Sequence, residues 1–203
     1  MDNAIYEKAK GLFQHRLELT ERTGIKNLIH YLFNQTDFLK APASMKYHDA
    51  EPGGLLLHSV KTFANLNNVL RSSDFFRGTI PESASITGLL HDVCKINMYK
   101  AEIKHRKIMD SDGRSHWEDY NGYEIEDAFP AGHGEKSVMI IERFIELTPE
   151  EIMAINWHMG GFDSRVRSFE GSRQISESMK KYPLIIALHT ADLMATYSSE
   201  TRS

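Results

Sequence analysis

The sequence predicts an all-α fold, a helical bundle with one small excursion, and three observations support this prediction. Apolar residues recur at helical spacing, as in the run Leu56, Val60 and Phe63. The stretch "TPEE" at 148–151 carries the start signals of a helix. The length of 203 residues suits one domain better than two, and no change of composition marks a linker. We therefore expect a single domain over residues 1–203.

Helical patterns follow one another along most of the chain. The first two are separated by Thr23 and Gly24, and we expect residues 1–40 to form an N-terminal helical extension packed on the rest. Prolines open three later segments, where their fixed backbone angle favours the first turn of a helix. The predicted helices cover residues 3–22, 25–35, 56–70, 81–98, 133–147, 149–157 and 183–197.

The helix after "TPEE" has the clearest local signal in the chain. Thr148 is the predicted N-cap, Pro149 takes the first helical position and Glu151 the third. These residues predict a capping box, in which each of the Thr and Glu side chains accepts a hydrogen bond from the other residue's backbone N–H. We expect the helix to end before Gly160 and Gly161.

Residues 99–132 lack a helical period and are rich in charged and aromatic side chains. A Ser-Asp-Gly turn at 111–113 lies between two possible short strands. We therefore expect a small irregular or hairpin excursion in this region, outside the helical bundle.

Composition and charge argue against several classes of protein. The formal net charge of −4 does not favour binding of long nucleic acid by bulk charge. The single cysteine, Cys94, cannot form an internal disulfide, and the charged start "MDNAIYEKAK" lacks the apolar core of a signal peptide. No run approaches the ~18 apolar residues of a membrane helix. We therefore expect a cytoplasmic protein without a membrane partner.

The stretch "ITGLLHDVCKI" places His91 and Asp92 inside an apolar run. Such groups are costly to bury unless they are paired, hydrogen-bonded or bound to a metal ion. Neighbouring residues on a helix point about 100° apart, so the aspartate could bridge two ions while the histidine binds one. A lone histidine is more often a core or surface residue than a ligand. We interpret six of the others in that way: His15, His30, His48, His105, His116 and His189.

Four further candidate ligands lie on other predicted helices, namely His58, His133, His158 and Asp192. The order of all six residues resembles the HD-domain superfamily of metal-dependent phosphohydrolases. The segments "APASMKYH", "HDVCK" and "GHGEKS" are most similar to the HD domain of bacterial 3′-to-5′ exoribonucleases. The resemblance implies a first metal ion held by His58, His91, Asp92 and Asp192. It also implies a second ion held by His133 and His158, with Asp92 as the bridge.

The same resemblance implies an activity. It predicts hydrolysis of a phosphate ester of a nucleotide or short single-stranded oligonucleotide by a metal-bridged hydroxide, with Asp92 and Lys95 as catalytic residues. Imidazole and carboxylate ligands suit one or two ions of Mn, Fe, Ni, Co or Zn. We expect Lys46 and Arg165 to bind the substrate. The aromatic residues Trp117, Tyr120 and Tyr123 are equally candidates for stacking on a nucleobase and for a small cluster of their own.

Two other functions fit the same residues. An HD-fold di-iron oxygenase would use the ligands to activate oxygen, and a non-catalytic nucleotide-binding module would bind without turnover. Two positions also depart from the family pattern. Cys94 stands where a glycine is usual, and Met159 stands where many two-metal relatives carry a second consecutive histidine.

Overall fold

Helices make up most of the computed structural model, which describes residues 3–46 and 49–200, without the side chains of residues 199 and 200. Short 3-10 turns at Val93–Lys95 and Gly160–Phe162 follow two of the helices and lie beside the site described below. The α-helices in the described residues are α1 (Asn3–Glu18), α2 (Ile25–Asn34), α3 (Gly54–Ser72), α4 (Pro81–Leu90), α5 (His133–Ile141), α6 (Pro149–Trp157), α7 (Phe169–Lys181) and α8 (Leu184–Glu200).

The prediction of an all-α fold is wrong, because the chain also forms a two-stranded antiparallel sheet. Strands β1 (Tyr99–Met109) and β2 (Ser115–Ile125) pair along their whole length, from Tyr99 opposite Ile125 to Met109 opposite Ser115. Ion pairs such as Arg106 with Glu118 connect the two strands. Gly122 is the one buried residue of the two strands, so the hairpin has no face packed on a core. Its sequence therefore lacks the alternation of apolar and polar residues that would indicate such a face.

Helix α4 is shorter than the predicted helix over 81–98. It ends at Leu90, and His91 is the C-cap residue with helical backbone angles. Asp92 has left the helical region, with φ −108° and ψ 14°, and the 3-10 turn follows it. Because Val93 and Ile96 are buried after this change, the apolar pattern continues past the end of the helix and hides it.

Helix α7 is absent from the predicted set. Its buried residues are Gly171 and Ile175, and the rest of the helix is largely polar. Ser168 caps it by accepting a hydrogen bond from the backbone N–H of Gly171 at 3.0 Å. An apolar pattern that rests on so little buried surface is too weak to predict a helix.

The capping box predicted for α6 is confirmed. The Thr148 hydroxyl accepts from the backbone N–H of Glu151 at 3.3 Å, and Glu151 accepts from the backbone N–H of Thr148 at 2.8 Å. The buried Glu151 carboxylate also accepts from Arg22 at 2.8 Å and from the hydroxyl of Ser83 at 2.7 Å. One side chain therefore links the start of α6 to α4 and to the connection between α1 and α2.

Helix α3 is central to the bundle and packs against α1, α4 and α8, while α6 packs against α5 and α8. Two glycines permit close helix contacts near the site. A Cβ atom on Gly88 would lie 2.9 Å from the Cα of Phe63, and one on Gly134 would lie 2.4 Å from the carbonyl oxygens of Ile155 and Asn156. The first contact holds α4 against α3, and the second holds α5 against α6. In the described part of the chain, no helix has the length and apolar character needed to cross a membrane.

Candidate metal centre

The six predicted ligands come together inside the bundle. They are supplied by three helices and by the residues that follow the ends of two others, so the cluster exists only in the folded chain. His58, His91 and His158 have no exposed surface, and Asp92 is almost fully buried. The cluster consists of His58 in α3, His91 and Asp92 after α4, His133 at the start of α5, His158 after α6 and Asp192 in α8.

One group of donor atoms lies between α3, α4 and α8. The Nε2 atom of His58 is 3.0 Å from Oδ1 of Asp192 and 3.3 Å from Nε2 of His91. The Nε2 atom of His91 is 3.8 Å from the same Asp192 oxygen. Because these atoms all face one another, the three side chains could hold a metal ion.

The two carboxylate oxygens of Asp92 face different pairs of histidines. Oδ2 lies 3.5 Å from Nε2 of His58 and 3.6 Å from Nε2 of His91. Oδ1 lies 2.7 Å from Nε2 of His133 and 3.5 Å from Nε2 of His158. A carboxylate with one oxygen in each of two donor groups has the geometry that a bridging ligand needs.

Backbone hydrogen bonds orient two of the imidazole rings. The Nδ1 atom of His91 lies 3.1 Å from the carbonyl oxygen of Gly88, and Nδ1 of His158 lies 2.7 Å from that of Ile155. A carbonyl oxygen only accepts, so Nδ1 must carry the proton in both rings. In a neutral ring the lone pair is then on Nε2, which faces the cluster, and this is the arrangement usual for metal-binding histidines.

The environment of the Nε2 atom of His158 indicates whether the cluster suits a cation. This atom is fully buried and has no hydrogen-bond partner among the described residues. It faces Oδ1 of Asp92 at 3.5 Å, so two atoms with lone pairs oppose each other. A buried acceptor without a donor costs free energy. A cation between the two atoms would satisfy both, and the donor set therefore fits a metal ion.

Burial and charge shape the ionisation of the central residues. Burial lowers the pKa of His91 to about 3, although the carboxylates of Asp92 and Asp192 act against it. Burial alone would raise the pKa of Asp92, but the Lys95 ammonium and the contact with His133 hold that pKa well below its usual value. In the same way, contact with His58 keeps the pKa of the Asp192 carboxyl low despite its burial. Near neutral pH the cluster therefore combines a neutral His91 with two carboxylates.

Cys94 extends the second group of donor atoms. Its sulfur is buried and lies 3.5 Å from Nδ1 and 3.6 Å from Nε2 of His133. Together with Asp92 these residues form a further group that could hold a metal ion. Burial lowers the pKa of His133, but the neighbouring sulfur and the Asp92 carboxylate outweigh it and raise that pKa to about 10.

Lys95 adds a further positive charge to the cluster. Its ammonium group donates to Oδ2 of Asp92 at 2.6 Å from within the 3-10 turn. Burial lowers the pKa of Lys95, but the Asp92 carboxylate outweighs this and raises the pKa above its ordinary value. Lys95 therefore keeps its charge near neutral pH, beside the oxygen that faces His58 and His91.

A pocket with a volume of about 460 Å³ opens beside the cluster, and Asp92, Lys95, His133 and Asp192 form part of its lining. Lys46, one of the predicted substrate-binding residues, lies on the rim of this pocket. Arg165, the other one, lies elsewhere. Its guanidinium contacts Glu135 and Asp163 at 2.6 Å each and stacks on the ring of Trp157 at 4.1 Å.

The pocket also contains residues that are not among the predicted site residues. Tyr99, Phe162 and His189 all line the pocket. His189 also directs Nδ1 at the carbonyl oxygen of His158 at 2.7 Å, and so helps to hold the backbone of a candidate ligand. The position of His189 in α8, three residues before Asp192, is the one signal in the sequence that could have indicated this role.

The three aromatic residues considered for stacking on a nucleobase, Trp117, Tyr120 and Tyr123, lie apart from the pocket lining. Trp117 is exposed on β2, and the guanidinium of Arg106 lies over the ring of Tyr120 at 5.5 Å. Tyr123 makes an edge contact with Tyr99. Tyr99 therefore connects the base of the hairpin to the pocket.

Comparison of the chain with protein-family models, curated proteins and solved structures found no match. The geometry of the chain itself therefore has to define the site. It contains buried His, Asp and Cys side chains, grouped so that they could hold a metal ion.

Proposed function

We propose that the protein is a metal-dependent phosphohydrolase of the HD-domain type, which cleaves a phosphate ester of a nucleotide or short oligonucleotide. The observation that carries this proposal is the placement of Asp92. Its two oxygens face two separate histidine pairs, at 2.7 to 3.6 Å from the Nε2 atoms. A shared carboxylate is what two neighbouring cations require.

The residues of this chain would hold the ions in two groups. His58, His91 and Asp192 would take one ion, His133 and His158 would take the other, and Asp92 would contact both. Imidazole and carboxylate donors favour Mn, Fe, Ni, Co or Zn over Ca. When bound, such ions act as Lewis acids and lower the pKa of a coordinated water towards ~7.

Hydrolysis of the ester needs a water, a way to neutralise charge and a place for the leaving group. The water oxygen forms the new bond to phosphorus, the bond from phosphorus to the ester oxygen breaks, and the leaving oxygen takes a proton. Lys95 would neutralise negative charge on the phosphoryl oxygens, because it lies in the pocket lining beside Asp92 and stays protonated. The pocket would hold the rest of the substrate.

Lys95 also separates this proposal from the oxygenase alternative. A buried ammonium next to a carboxylate ligand gives the site an electrostatic reason to bind an anionic group. Activation of molecular oxygen has no such requirement. Hydrolysis of an anionic ester therefore accounts for a residue that the oxygenase alternative leaves without a role.

The proposal is tested by a screen of phosphate esters with the metal-loaded protein. p-Nitrophenyl phosphate, bis(p-nitrophenyl) phosphate, AMP and an RNA trinucleotide would be incubated with the wild type and with Asp92→Asn. Asp119→Asn, at an exposed position on the hairpin, is the matched control. We expect hydrolysis of at least one ester, a loss of about 100-fold or more in Asp92→Asn and no loss in the control.

Failure of every ester with each of Mn, Fe, Ni, Co and Zn would refute the hydrolase. Oxygen uptake by the iron-loaded protein, lost in Asp92→Asn, would then support the oxygenase instead.

A further inference from the structure

The pocket beside the metal centre has mainly apolar walls. Its floor contains Asp92, Asp192 and His133, and its volume of about 460 Å³ is that of a site for one small molecule. Apolar side chains from four different parts of the chain surround this floor: Met45, Tyr99, Met159, Phe162, Leu193 and Tyr197.

Two of the three aromatic rings in these walls, Phe162 and Tyr197, are unusually exposed for their size. Phe162 is 65 % exposed and Tyr197 is 54 % exposed. Phe162 lies in the 3-10 turn Gly160–Phe162, which follows His158 closely in the chain. The centroid of the Phe162 ring lies 6.3 Å from the centroid of the His189 ring. A large ring held in water at the wall of a polar site offers a flat face on which a second ring can stack.

The charge of the pocket limits how many phosphates it can take. Besides His133 and any bound metal ions, the cations among the described residues of its lining are Lys46 and Lys95, and these two are balanced by the carboxylates of Asp92 and Asp192. Lys95 is also already paired with Asp92 at 2.6 Å. Sites for several phosphates need several cations or backbone donors aimed at them. This lining suits one phosphoryl group at the metal centre and an uncharged remainder.

We propose that the pocket selects a phosphate ester with a single phosphoryl group and one flat aromatic group, the chemistry of a nucleoside monophosphate. The phosphoryl group lies at Asp92 and Lys95, and the aromatic group stacks on Phe162. Nucleoside triphosphates and long oligonucleotides are poor ligands. The inference rests on the proposed function for the position of the phosphoryl group, and it adds the class of substrate.

Binding measurements separate this inference from catalysis. The probes are phosphonate analogues, in which a methylene group replaces the ester oxygen and, in the ADP analogue, the anhydride oxygen as well, so that no hydrolysis occurs. The analogues of AMP, of ADP and of ribose 5-phosphate would each be titrated into the Mn-loaded protein by calorimetry. We expect the AMP analogue to bind about tenfold more tightly than the ribose 5-phosphate analogue, since stacking of one base contributes about that factor or more. The ADP analogue should bind no more tightly than the AMP analogue.

Two exposed phenylalanines provide matched variants. Phe162→Ala should remove the preference for the AMP analogue over the ribose 5-phosphate analogue. Phe169→Ala should keep it, because Phe169 is 86 % exposed at the start of α7 and lies outside the pocket lining. Both side chains are exposed, so neither variant should lose the fold.

Four results would overturn the inference. They are equal binding of the AMP and ribose 5-phosphate analogues, a preference that survives in Phe162→Ala, tenfold tighter binding of the ADP analogue, and no binding of the AMP analogue. Binding that depends on Phe162 in a protein that hydrolyses no ester would refute the proposed function alone. Hydrolysis without any preference for a base would refute this inference alone.

Discussion

Asp92 is the residue that contacts both groups of donor atoms in the site. Each of its oxygens lies within 3.6 Å of two histidine nitrogens, and Lys95 contacts one of them at 2.6 Å. The ionisation of Lys95, His91 and His133 therefore depends on the negative charge of Asp92. Removing that charge would leave the buried Lys95 without its carboxylate and both histidine pairs without their common partner.

The metal content of purified protein tests this role. We expect about two transition-metal ions per chain in the wild type, since each face of Asp92 supplies one donor group. Asp92→Ala should retain almost none, because it removes a ligand from both groups. His133→Ala should retain about one, because only the second group loses a donor. Elemental analysis of protein purified without added metal measures all three values.

The exposed Asp119→Ala is the control for that experiment and should match the wild type. One ion or fewer in the wild type, unchanged in His133→Ala, would contradict the second ion and with it the bridging role of Asp92.

His133 makes metal binding depend on pH. Its pKa is raised to about 10, so without metal the ring carries a proton at pH 8. A coordinating imidazole must lose that proton, and metal binding therefore releases it. Below pH ~10 the proton competes with the ion, so affinity for the second ion should rise by about tenfold for each pH unit. Calorimetry at pH 8 in two buffers of different ionisation enthalpy counts the protons released.

The variant His133→Ala, which should bind only the first ion, should release about one proton fewer in total than the wild type. Equal proton release by the two proteins would mean that His133 carries no proton at pH 8.

At the scale of secondary-structure elements, glycines set the distance between the helices that supply the candidate ligands. Gly88 lies where α4 contacts α3, which carries His58. Gly134 lies where α5 contacts the end of α6, next to His133 on one helix and close to His158 on the other. A side chain at either position would separate a pair of ligands as well as two helices.

Gly134→Ala is the sharper test, because the added Cβ would lie 2.4 Å from two carbonyl oxygens of α6. The helices must move apart, which we expect to cost about 1 to 3 kcal/mol in the free energy of unfolding. The second ion should be lost and the first retained. Urea denaturation and elemental analysis measure the two effects. Gly161→Ala is the control, since its Cβ would have open space, and a variant of Gly134 with both ions and wild-type stability would contradict the argument.

The same elements show how far sequence patterns predict this structure. The capping box of α6 was predictable because it is local, with all its atoms within four residues. The end of α4 was not, because buried Val93 and Ile96 continue the apolar pattern after the backbone has left the helix. The end of α4 also determines where the Asp92 side chain lies. This side chain diverges from His91 because the helix ends between them, rather than because the two residues are neighbours on a helix.

At the scale of the whole molecule, the six candidate ligands and the pocket differ in predictability. The candidate ligands are His and Asp residues, which can be recognised in a sequence when they lie among apolar residues. Their order, which resembles that of the HD-domain superfamily, indicated that they belong to one site. Phe162, Tyr99 and His189 look like ordinary core or surface residues, and only the three-dimensional packing brings them to the pocket. Arg165 shows the converse. Its guanidinium is held by the nearby Asp163 carboxylate and lies over the Trp157 ring, and no feature of the sequence indicates that these contacts direct it away from the pocket.

The outer part of the hairpin contributes no buried side chain to the core of the helical bundle. Between Ile103 and Asn121 every residue is exposed or half-buried, and ion pairs such as Arg106 with Glu118 lie within the hairpin. Tyr99, at its base, belongs to the pocket instead. The outer part of the hairpin should therefore be separable from both the core and the metal centre.

Replacing residues 103–121 by an Asn-Gly turn tests that separation, since this dipeptide closes a two-residue hairpin loop. We expect the free energy of unfolding to change by less than about 1 kcal/mol, because no buried side chain is removed. Metal content and binding of the AMP analogue should stay at wild-type values, because Tyr99 and the ligands remain. Thermal denaturation, elemental analysis and calorimetry measure these three quantities. A loss of metal or of several kcal/mol would mean that the outer hairpin supports the bundle. Weaker binding of the AMP analogue alone would mean that Trp117 or Tyr120 reaches the ligand.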